Sequence, residues 1–226
     1  GYTNLIDEGA VLGGSLPFMT QYDAAGRAIL SADGSPAVSN FPDAITLHSV
    51  SGGKIAMISH TEFPQPGGIW ISEVERAASS GALAVKATRQ LDLAGVNGVG
   101  AMCAGSVFGD AHLGGEEYPP DCRGAGAAAS GDTARFYGYY SGAAAASVPN
   151  PPNKGDYALP ANAAAVAKLF SCYNMGAIVE VKPVKGAGGA LDGKTTKLRT
   201  MGRMSHETAV VAPDRKTVML TADDRM

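Results

Sequence analysis

Apolar and polar residues alternate along the readable stretches of this chain with a period of two, which is the period of a strand and not of a helix. Ala44-Ile45-Thr46-Leu47-His48 and Lys54-Ile55-Ala56-Met57-Ile58 stand on either side of Ser51-Gly52-Gly53. Two β-prone runs around a Gly-Gly step predict a hairpin, because a tight turn between twisted strands needs positive φ. Residues 68–74 and 83–88 flank Ser79-Ser80-Gly81 and predict a second hairpin. Residues 72–80 have a competing reading as a short helix, since Glu75-Arg76-Ala77-Ala78 favours one. Ala177-Ile178-Val179-Glu180-Val181 reads as a strand, and residues 208–211 and 217–221 bracket Pro213-Asp214-Arg215-Lys216 as a third hairpin.

Short strands in hairpins predict a mostly β fold: a sandwich, a barrel or a propeller. No repeat of blade length stands out in the sequence. The middle differs. Residues 124–147 are crowded with Ala and Gly around Arg135-Phe136-Tyr137-Gly138-Tyr139-Tyr140 and lead into a Pro/Asn-rich run. We read residues 124–158 as an insertion in one domain spanning residues 1–226, its aromatic cluster packing it onto the body or lining an entrance. A short helix is expected over residues 161–170, opened by Pro160.

Composition narrows the function classes. The 226 residues suffice for one large domain, and 45% of them are hydrophobic against 17% charged, with a net charge of −3. That balance gives no basic face for nucleic acid. Thirty glycines and thirteen prolines agree with many turns. No apolar run approaches the roughly 18 residues of a membrane span. The chain opens on Gly1 with no signal pattern, so a mature form that has lost its targeting segment, or a fragment, is expected. Three cysteines are too few for a disulfide scaffold. Cys122 and Cys172 are either a disulfide, as in an oxidising compartment, or two buried thiols; the disulfide is the expectation. No Asn-x-Ser/Thr acceptor supports secretion independently.

Several familiar motifs fail on inspection. Gly95-Val96-Asn97-Gly98-Val99-Gly100 has its glycines in the wrong order for a dinucleotide fingerprint. His60-x-Glu62 opens like a zinc-deaminase signature, but no Cys-x-x-Cys follows. His206-Glu207 has Val210 where a metalloprotease helix needs its second histidine, and Ala104-Gly105-Ser106-Val107-Phe108 lacks the last glycine of a nucleophile elbow.

What remains is a thiol and paired carboxylates among glycines: Cys103-Ala104-Gly105-Ser106, then His112-Leu113-Gly114-Gly115-Glu116-Glu117-Tyr118-Pro119-Pro120-Asp121. Thiolate suits iron, and carboxylate suits calcium or iron. A lone strand cysteine is more often a packed thiol, and adjacent glutamates point to opposite faces of a strand. Joint occurrence with Ser59-His60-Thr61-Glu62-Phe63 and with Gly202-Arg203-Met204-Ser205-His206-Glu207, running on to Asp223-Asp224-Arg225, raises the site reading. Together these segments resemble the PhoX-type alkaline phosphatase family, over most of residues 40–225.

The resemblance implies a β-propeller with iron and calcium in its site, hydrolysing a small phosphate monoester, in an extracellular or periplasmic protein. It implies Cys103 as iron ligand, Glu117, Glu207, Glu116 and Glu62 as metal ligands, and Arg203 or Arg225 as phosphate binders. Cys103, Glu117, Glu207 and Arg203 would then form the catalytic set, with His206 orienting Glu207. The chain departs from the family pattern at two places. Val107-Phe108-Gly109-Asp110-Ala111 is one residue shorter than the family's loop and lacks its Thr-Pro-Trp, with Asp110 a substitute carboxylate. Ser59 stands for Asn, with Thr61 inserted. The match covers the family's N-terminal part, so further residues or another chain are expected to complete the ring. The competing reading is a calcium-binding extracellular β-propeller protein without turnover, serving a structural or assembly role.

Overall fold

A computed structural model describes residues 41–63, 68–96, 98–117 and 174–223, with short stretches at 5–6, 10–11, 17–20, 35–36 and 38. The expected insertion, the expected helix, Cys122, Cys172 and Arg225 lie outside the described residues.

The fold is mostly β, built from antiparallel sheets. The first sheet is a meander of β1 (Phe41–Ser49), β2 (Ile55–Phe63), β3 (Ile69–Arg76) and β4 (Leu83–Gln90). The second repeats that order with β5 (Met102–Phe108), β6 (Ala111–Glu116), β7 (Ile178–Lys185) and β8 (Leu191–Leu198). The third holds β9 (His206–Val211) and β10 (Val218–Ala222). The three hairpins expected from the sequence form, with Gly52 and Gly53 at φ 86° and 76° in the first turn. No helix forms over residues 72–80: β3 runs on to Arg76 and a turn follows. No helix among the described residues is long and apolar enough to cross a membrane.

The sheets stack as layers. Ala56 and Ile58 of β2 and Ile69 and Ile71 of β3 meet Met102, Val179 and Val181 of the second sheet. On that sheet's other face, Leu113 and Ile178 pack on Ala209 of β9. The second sheet is therefore covered on both faces, and every residue of β6 is buried. The first strands of successive sheets are neighbours, β5 lying against both β1 and β9. Close approach at β6 depends on glycine: a methyl on Gly115 would stand 2.4 Å from the His206 carbonyl oxygen.

Inside this layer sits an ion pair. Lys197 Nζ donates to Glu116 Oε1 at 2.8 Å, with the two side chains 2% and 1% exposed. The Gly100 and Ala177 amides donate to the same carboxylate at 3.1 and 3.0 Å, and Lys197 also reaches the Asn174 carbonyl at 2.5 Å. Burial raises the Glu116 pKa and lowers that of Lys197, each opposed by its partner. The pair joins the end of β6 to the chain just before β7, across residues 118–173.

Two stability predictions follow from this burial. Lys197→Met should lower unfolding free energy by about 3–5 kcal/mol in urea titrations, because it leaves Glu116 buried without its countercharge. Stability should also fall as pH drops below 6.5. His48, His60, His112 and His206 are buried and their pKa values are lowered by desolvation, that of His60 to about 4. The unfolded chain takes up protons first, so stability present above 6.5 is lost through the window down to about 4. His60→Gln should flatten that acid limb in denaturant midpoints measured against pH.

Candidate metal centre

Cys103 lies at the start of β5 where the strand is bulged: the β5–β6 register shifts between Cys103 and Gly105, and Ala104 has φ 31°. A bulge re-aims side chains and adds twist. The Ala104 amide donates to Asp43 Oδ2 at 2.6 Å, which ties β1 to the bulge, and the Ser106 hydroxyl donates to the Ala209 carbonyl, which ties β5 to β9. β5 is thus held from both sides beside its cysteine.

The thiol is 7% exposed and free of any disulfide. It donates to Glu207 Oε1 at 3.5 Å. Ligand atoms of Cys103, Glu117 and Glu207 all lie within 4.8 Å of one another. Glu207 comes from β9, and Glu117 follows the end of β6 with its amide on the Ala101 carbonyl at 2.9 Å. The two ends of the β5–β6 hairpin and the distant strand β9 therefore meet at one point. The thiol pKa is pushed up, first by burial and then by the Asp43 and Glu117 carboxylates beside it.

The site residues expected from sequence separate here. Cys103, Glu117 and Glu207 converge. Glu116 does not join them, because adjacent strand residues face opposite ways and its carboxylate is taken by Lys197. Glu62 is half-buried on β2, outside the three-residue group. Arg203 is exposed in the segment before β9. His206 bonds the Gly202 carbonyl at 3.4 Å and is not hydrogen-bonded to Glu207. Asp110 sits at the tip of the β5–β6 hairpin beside the Phe108–Ala111 pair, at the far end from the Cys103–Gly115 pair, so it adds no carboxylate to the group. Asp43 was not anticipated: it precedes the predicted strand by one residue, and only the packing of β1 on β5 brings it to the thiol.

The donor set fits a cation. A thiol among three carboxylates concentrates negative potential that a metal ion would offset. Comparison with family models, with curated proteins and with solved structures gave no match.

Because Cys103 holds its proton in the metal-free protein, binding of a divalent cation at neutral pH should release about one proton per ion. Affinity should therefore rise with pH. Calorimetry in buffers of different ionisation enthalpy measures the proton count, and Cys103→Ser should abolish that release.

Proposed function

We propose that the protein is a PhoX-like, metal-dependent phosphatase that hydrolyses small phosphate monoesters. The observation that carries the proposal is the convergence of Cys103, Glu117 and Glu207 from β5, the end of β6 and β9. These are the residues at which the sequence resembles that family. Cys103, Glu117 and Glu207 would hold iron, with calcium held by carboxylates of the same group and Asp43 on the exposed side. The metal, when bound, would supply Lewis-acid charge that offsets the negative charge developing on the phosphoryl oxygens.

The chain's own residues would do the rest. Glu117 and Glu207 fix the position of the charge. The Asp43–Ala104 bond holds the bulge that aims the thiol. Arg203 would hydrogen-bond the phosphate in bidentate fashion from the segment before β9. We propose further that the stacked meanders are blades of a β-propeller. Two four-stranded sheets follow one another with their first strands adjacent, and the two-stranded β9–β10 sheet has half their strand number. Strands from further sequence or another chain would complete the ring and cover its edges. An extracellular or periplasmic location belongs to the same proposal and rests on the expected Cys122–Cys172 bond.

Glu207→Gln keeps size and removes the charge a hard cation needs. It should lower metal content and kcat/KM on a generic phosphate monoester together, by at least about 100-fold in rate, as misplaced reacting groups do. Asp214→Asn should leave both unchanged. That carboxylate accepts from Lys216 N, Thr217 N and Thr217 Oγ1 within its own turn, and these bonds lower its pKa. Metal analysis with steady-state kinetics tests both. Calcium without iron and no hydrolysis after reconstitution would establish the structural calcium-binding reading instead.

A further inference from the structure

Behind the Cys103 group, on the opposite face of the β5–β6 hairpin, two histidines point their ring nitrogens at one another's space. His60 on β2 and His112 on β6 are each 0% exposed, with ring centroids 5.1 Å apart at 61°. Nε2 of each has no hydrogen-bond partner among the described residues. Both converge over Gly114: a methyl there would stand 3.0 Å from His112 Nε2 and 3.2 Å from His60 Nε2. It would also stand 2.6 Å from the Met102 thioether methyl. Gly114 is the neighbour of Gly115, which faces β9, so this convergence lies between the first and second sheets.

The remaining ring nitrogens are held. His60 Nδ1 pairs with the Met102 carbonyl at 3.1 Å, and a carbonyl only accepts. Nδ1 therefore carries the proton, and Nε2 presents a bare lone pair. His112 Nδ1 bonds Thr46 Oγ1 at 2.9 Å, and the same hydroxyl bonds His48 Nε2 at 2.8 Å. The Thr46 hydroxyl has one proton to give, and the tautomer in which it goes to His48 Nε2, with His112 Nδ1–H donating to the hydroxyl, leaves His112 Nε2 bare as well. A histidine whose second nitrogen is fixed by a carbonyl or hydroxyl is the arrangement seen around metal-bound imidazole.

We propose that His60 Nε2 and His112 Nε2, with the Met102 side chain ending at the same point and able to turn its thioether in, form a buried binding site for a soft monovalent metal ion of the copper(I) type. Two neutral nitrogens and a thioether carry no charge to balance a divalent ion, and burying uncompensated charge is costly. Softness and low charge together select copper(I) over zinc, and thioether ligation favours the same ion. Bound there, the ion joins β2 to β6 and so links the first two sheets.

The decisive measurement is an anaerobic copper(I) titration against a chromophoric copper(I) chelator. It uses the full chain carrying Cys103→Ser, Cys122→Ser and Cys172→Ser, so that no thiol competes and the Cys103 group is disabled. One equivalent should remain bound. His60→Gln or His112→Gln should abolish it, and Thr46→Val should weaken it by about tenfold through loss of the bond that orients His112. Gly114→Ala keeps both ligands but fills the space between them, and should also abolish binding. X-ray absorption of the copper-loaded thiol-free protein, which needs no histidine substitution, should show imidazole scattering from two rings. No copper retained by the thiol-free protein, absorption spectra without imidazole, or tighter binding of zinc(II) than of copper(I) would each overturn the proposal. So would a high-resolution structure of copper-treated protein with only a water between the two nitrogens.

Discussion

A carboxylate buried from water must find donors or lose its charge, and Glu116 finds them on three sides. The Gly100 amide, the Ala177 amide and Lys197 all donate to it. These come from the segment before β5, the start of the β7 segment and β8, so one side chain gathers the whole edge of the second sheet. Because strand neighbours face opposite ways, fixing Glu116 on one face fixes Glu117 on the other. There Glu117 meets Cys103 and Glu207. The charged core on one side of the hairpin thus sets the geometry of the chemical site on the other.

The layered packing makes this arrangement possible. An antiparallel sheet normally exposes one face, and its strands then alternate cleanly. The second sheet is covered on both, by the first sheet and by β9–β10. Its β6 strand consequently reads Ala-His-Leu-Gly-Gly-Glu, with glycines where neighbours approach too closely for a side chain. Polar atoms inside such a layer need internal partners, which accounts for the Thr46-centred bridge between His48 and His112.

The legibility of the sequence follows the same physics. Hairpins of β-prone runs around a Gly- or Pro-containing turn were readable, as at Ser51-Gly52-Gly53 and Pro213-Asp214. β8 was not: Leu-Asp-Gly-Lys-Thr-Thr-Lys-Leu shows no alternating apolar face, and besides the leucines at its two ends it is anchored by Lys197 in its ion pair, a tertiary contact invisible to periodicity. At the site, Cys103, Glu117 and Glu207 were legible as motif residues. The exclusion of Glu116 needed its partner to be located, and Asp43 needed the packing of β1 on β5. Carboxylates look alike in a sequence; only their surroundings distinguish them.

The Glu116–Glu117 pair has a further consequence for how the chain reaches this structure. In most hairpins a slip of one residue is opposed by apolar side chains turning to water. Here the slip would exchange two carboxylates: one would leave Lys197 and two amides stranded in the layer, and the other would turn away from the thiol. The slip strands a charge inside the layer, so the Glu116–Lys197 pair fixes the register of the β5–β6 hairpin as apolar burial fixes others. A chain with these strands mispaired would have to close the neighbouring sheets over that stranded charge.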